Sequence, residues 1–81
     1  MKIIYLKATS QWGADSLIKI TASGGLSVYD DSINILNISD EAEFSDFQDS
    51  RTAEGYIEVT KEMFDDFFIQ TIARINELSK A

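Results

Sequence analysis

Apolar and polar residues alternate along most of the first 38 positions, and then the period changes. In "KIIYLKA" (Lys2 to Ala8) Ile3, Tyr5 and Lys7 share one phase and Ile4, Leu6 and Ala8 the other. This two-residue period, with β-branched and aromatic content, predicts a strand. "LIKIT" (Leu17 to Thr21) predicts a second, with Leu17, Lys19 and Thr21 opposite Ile18 and Ile20. "ASGG" reads as a hairpin turn in which Gly24 and Gly25 supply positive φ. "LSVYD" (Leu26 to Asp30) returns as the next strand. In "SINILNI" (Ser32 to Ile38) Ile33 and Ile35 lie in one phase and Leu36 and Ile38 in the opposite one. That phase change fits either a bulge between Ile35 and Leu36 or a strand covered on both faces. "YIEVT" (Tyr56 to Thr60) is the last strand.

The helical period appears at the end. Phe64, Phe68, Ile72, Ile75 and Leu78 step at three and four residues, and Met63 and Phe67 widen the stripe. The spacing predicts a helix from Lys61 to about Ser79, capped by Thr60, with acids in its first turns and Arg74 and Lys80 near its end. A short helix is expected from Asp40 to about Gln48, with Ser39 as its cap and Phe44 and Phe47 on one side; an acidic loop is the rival reading. These elements sum to one α+β domain over residues 1–81. It is an antiparallel sheet of four to five strands, with the C-terminal helix packed on one face and a short acidic helix before the last strand.

Composition narrows the chemistry. A chain of 81 residues with 44% hydrophobic content is globular, and buries roughly 60–65% of its unfolded surface in one modest core. It has no Cys, no His and no Pro. That removes disulfides, thiolate metal sites, the commonest general base and proline-rich segments. The opening "MKIIYLK" has an apolar run too short for a signal peptide, and no run is long enough to span a membrane, so a cytoplasmic protein is expected.

Charge is the strongest lead. The net charge is −7, but residues 30–66 hold twelve acids against Arg51 and Lys61, a balance of −10, and the remainder is +3. The densest stretch, "SDEAEFSDFQDS" (Ser39 to Ser50), sets Phe44 and Phe47 among Asp40, Glu41, Glu43, Asp46 and Asp49. Such a segment repels nucleic acid and anionic membrane and attracts basic protein surfaces, including those that hold nucleic acid. Those seven residues are the candidate partner-binding set. Solubility alone is the competing explanation for the acids, and docking to the core the competing explanation for the phenylalanines.

Other motifs fail on inspection. Asp30, Ser32, Asn34 and Glu41 match EF-hand positions, but Ile35 stands where the loop needs Gly. No spacing singles out a carboxylate pair for acid–base catalysis, and "ASGG" lacks the residues of a phosphate loop. Trp12, in a polar connection, reads as a lid over a core edge. The expectation is a non-enzymatic binding module without cofactor or metal, acting as a monomer or homodimer. Its sharpest form is an inhibitor that occupies a basic nucleic-acid-binding site, as a nucleic-acid mimic. In size and charge it is analogous to phage-encoded inhibitors of host defence, anti-CRISPR proteins included. The alternatives are a small assembly protein, with the N-terminal strand or "LSVYD" as an exposed sheet edge, and a toxin-neutralising immunity protein.

Overall fold

A computed structural model of the chain describes residues 2–11, 13–29 and 32–80. Trp12, Asp30 and Asp31 lie outside the described residues, and with them the lid assigned to Trp12 and the first EF-hand position. Five strands, β1 (Ile4–Thr9), β2 (Asp15–Thr21), β3 (Gly24–Val28), β4 (Ile33–Leu36) and β5 (Ile57–Glu58), form one antiparallel sheet in the order β4-β3-β2-β1-β5. Two helices complete the fold, α1 (Glu41–Ala53) before β5 and α2 (Lys61–Ser79) after it. The architecture is therefore the α+β class that the residue periods predict.

The alternation in the strands becomes two separate apolar layers. Ile4, Leu6, Ile18 and Ile20 point to one face and bury Ile38 and Phe44, with Leu36, Phe47 and Tyr56 packed around them. Leu17 and Val28 point to the other face and bury Phe64, with Tyr5, Leu26, Ile33, Phe67 and Phe68 around them. Successive strand residues face opposite sides, so α1 covers one face of the sheet and α2 the other. The residue pattern assigns a sheet face to α2 alone, with Phe44 and Phe47 as a core anchor for the acidic helix; α1 covers the face opposite α2 as a third layer.

This arrangement explains the phase change in β4. Its register against β3 is continuous from Val28↔Ile33 to Gly25↔Leu36, without a bulge. Ile33 belongs to the α2 side and Leu36 to the α1 side. Ile38, beyond the strand, is buried with α1.

Several local expectations need correction. The hairpin turn is Ala22–Ser23, because Thr21 pairs with Gly24. The Thr21 hydroxyl accepts from Ser23 N–H and donates to the Gly24 carbonyl. Gly25 is not there for positive φ: a Cβ would stand 2.5 Å from the Lys19 carbonyl oxygen, so close backbone approach demands glycine. Along α2, Phe64 is 3% exposed, whereas Met63, Ile72 and Leu78 are exposed. The buried polar residue on that stripe is Thr71, whose hydroxyl donates to the Tyr29 carbonyl at 3.0 Å. The last turn of α2 carries no base: Lys80 is the C-cap, and Arg74 lies a turn too early.

Candidate partner-binding surface

The acidic stretch is a helix, longer than the sequence suggests and started by a different residue. Asp40, in extended backbone, is the N-cap and accepts from Glu43 N–H at 2.9 Å. The Glu43 carboxylate reaches back to accept from Ser39 N–H at 2.9 Å. The cap thus satisfies one of the helix's orphan donors, and the carboxylate three residues on ties down the residue before the cap, a variant of the capping box. Ser39, the expected cap, serves instead as a donor before the helix.

The helix runs past Gln48 to Ala53 because a glycine is available to stop it. Gly55 has φ +100°. Gly55 N–H donates to the Thr52 carbonyl and Tyr56 N–H to the Arg51 carbonyl, the paired bonds of a Schellman ending. Tyr56 then enters the α1-side core, its hydroxyl 3.0 Å from that of Ser16.

Phe44 and Phe47 orient the helix. Phe44 is 7% exposed and Phe47 is half-buried. Arg51, one turn beyond Phe47, lies over its ring with 4.6 Å between guanidinium carbon and ring centroid. Its Nη1 bonds the Glu54 carboxylate at 2.5 Å, while its Nε is buried without a protein partner. The i,i+4 spacing of Phe47 and Arg51 carries this stack and is readable in the sequence.

The seven candidate residues therefore divide by role. Phe44 and Phe47 anchor. Asp40 and Glu43 hold the helix start. Glu41, Asp46 and Asp49 are exposed, and none of the ion pairs among the described residues, Lys7–Asp15, Arg51–Glu54 and Lys61–Asp65, involves them. On the flank of α1, an open groove of about 170 Å³ is lined by Lys2, Ala22, Glu41, Phe44, Ser45 and Gln48. It is smaller than the clefts that enclose small-molecule ligands, about 300–1,000 Å³.

The −10 segment does not fold into a single acidic face. Asp40, Glu41, Glu43, Asp46, Asp49 and Glu54 against Arg51 leave −5 on α1 and its caps. Glu62, Asp65 and Asp66 against Lys61 leave −2 at the start of α2, on the opposite side of the sheet. Glu58 lies on edge strand β5, and Asp30 and Asp31 account for the remaining two charges. The Lys61 ammonium is held above its ordinary range, first by its hydrogen bond to Asp65 and then by that carboxylate's charge. No group of three or more acids that could hold a metal ion occurs among the described residues. Strand β4 passes through the EF-hand-like stretch.

Compared with protein families, curated proteins and solved structures, the chain matches none of them. No helix among the described residues is long and apolar enough to cross a membrane.

Proposed function

We propose that the chain is a non-enzymatic binding module whose α1 face docks on a basic surface of a partner protein. The observation that carries this reading is the exposed placement of Glu41, Asp46 and Asp49, without an ion-pair partner among the described residues, on a helix held by Phe44 and Phe47. An anchored helix presents its charges at fixed positions, which lowers the ordering cost of binding. From Glu41 to Asp49 the helix rises about 12 Å at 1.5 Å per residue. Three carboxylates over that length stand about 6 Å apart on average, a row of like charge of the kind one nucleic-acid strand presents at about one per 3.4 Å. A surface built to hold phosphates is therefore the best-matched partner, and the module acts by occupying it. The anchoring phenylalanines take no direct part, since the same rings hold the helix to the sheet.

The test is capture of a nucleic-acid-binding protein by the immobilised chain at about 50 mM salt and its release at about 500 mM, where the Debye length has shrunk to a few ångströms. The variant Glu41→Gln/Asp46→Asn/Asp49→Asn leaves Asp40 and Glu43 in place, so the helix start is intact. Loss of the partner on this variant is expected. An unchanged partner on the variant would remove α1 from the interface.

A further inference from the structure

The sheet order leaves two edges, β4 and β5, and corrects the expectation that the N-terminal strand or "LSVYD" is exposed: β1 and β3 are both interior. Edge β5 is only two residues long, includes Glu58 and runs straight on towards α2, a protected edge. Edge β4 is twice as long as β5 and lacks the other usual guards. "INIL" has no charge, no proline and no bulge, and Ile35 is 80% exposed.

The hydrogen-bond phase of that edge follows from the ladder. Tyr29 N–H donates to the Ser32 carbonyl. Bonded pairs alternate along an antiparallel ladder, so Ser27↔Asn34 and Gly25↔Leu36 bond within the sheet. The N–H and C=O groups of Ile33 and Ile35 then point away from it.

Helix α2 brings a second uncovered surface to the same side. It begins after β5, sets Phe64 against Tyr5 of β1 with the rings tilted at 47° and their centroids 5.5 Å apart, buries Phe64 with Leu17 and Val28, and reaches Tyr29 through Thr71. It thus travels across the sheet from the β5 edge towards the β4 side. Beyond Thr71 the helix continues for about two more turns, to Ser79. It carries Ile72 and Leu78, exposed on or beside the sheet-facing stripe.

We infer that β4 and the C-terminal end of α2 form the interface with a second copy of this chain. A two-fold axis at Asn34 would set Ile33 of each copy opposite Ile35 of the other. The outward groups on both strands then close as bonded pairs, the self-complementary arrangement that a two-fold interface requires. Charge supports the same occupant. Residues 33–36 are neutral, and residues 72–80 hold Arg74 and Lys80 against Glu77, a balance of +1 in a chain of −7. Two copies thus meet through the part of each that repels least. A stable dimer buries about 800 Å² per partner, roughly a seventh of the 5463 Å² surface. Four strand residues alone fall short of that area, and the helix end supplies the rest.

Sedimentation of the native chain over a dilution series from about 1 to about 200 µM, a range that reads micromolar dissociation constants, tests this. A reversible monomer–dimer equilibrium that survives about 500 mM salt is expected, because the contact is apolar and backbone-mediated. Ile35→Pro deletes only an outward N–H and fits an edge strand; Ile35→Lys places a charge there should the proline variant lose its circular dichroism. Ile72→Lys does the same on the helix end. Each should weaken association at least tenfold with the fold retained. A native chain that stays monomeric throughout, or a folded variant at either position with undiminished association, would overturn the inference.

Discussion

Individual side chains and backbone angles set the tolerances of this molecule. Phe44 fills the space between α1 and the sheet. Phe44→Ala removes its apolar contact and leaves a cavity, so a loss of about 3–5 kcal/mol is expected in urea unfolding. For a chain of this size that approaches the whole of its stability. Gly55 shows a different constraint. A Cβ there would meet nothing, yet its φ of +100° disfavours any L side chain. Gly55→Ala should cost about 1–2 kcal/mol in the same measurement, through backbone strain alone.

At the scale of the elements, the two helices start alike and differ in what holds them. Asp40 and Thr60 each accept from the N–H three residues on. Asp40→Ala should therefore cost about 1 kcal/mol of stability, whereas Asp46→Asn, on the outer face, should change it by less than about 0.5 kcal/mol. Paired urea titrations of the two variants separate acids that build α1 from acids free to meet a partner. On α2, the exposed Lys61–Asp65 pair gives the raised ammonium a stabilising effect that is present below its ordinary pKa and is lost as pH rises through the raised one. Full exposure keeps that effect small.

For the whole molecule, the decisive quantity is the −7 charge, of which −5 sits on α1 and its caps. Most carboxylates have no ion-pair partner among the described residues, so self-repulsion outweighs pairing. Raising salt from about 20 to about 200 mM shortens the Debye length about threefold. The melting temperature should rise by a few degrees, measured by circular dichroism; a fall would mean that the three ion pairs dominate the balance.

Local periodicity was sufficient for the strands, for α2 from Lys61 to Ser79, for its Thr60 cap and for the α+β class. Those features depend on neighbours two to four residues apart, which a sequence displays directly. It also displayed the clustered acids and the phenylalanines that bind α1 to the core. It did not display the full length of α1, which depends on Gly55 adopting a left-handed conformation and on the Gly55 and Tyr56 N–H groups closing back on Thr52 and Arg51. Nor did it show that α1 and α2 lie on opposite faces, which divides a continuous acidic segment between two surfaces. Strand order is equally non-local. It makes β4 an edge and β1 an interior strand although both read as apolar alternations, because pairing is decided by contacts between residues far apart in the chain. The buried Thr71 hydroxyl, bonded to the Tyr29 carbonyl 42 residues away, belongs to the same class: its partner exists only once the chain has folded.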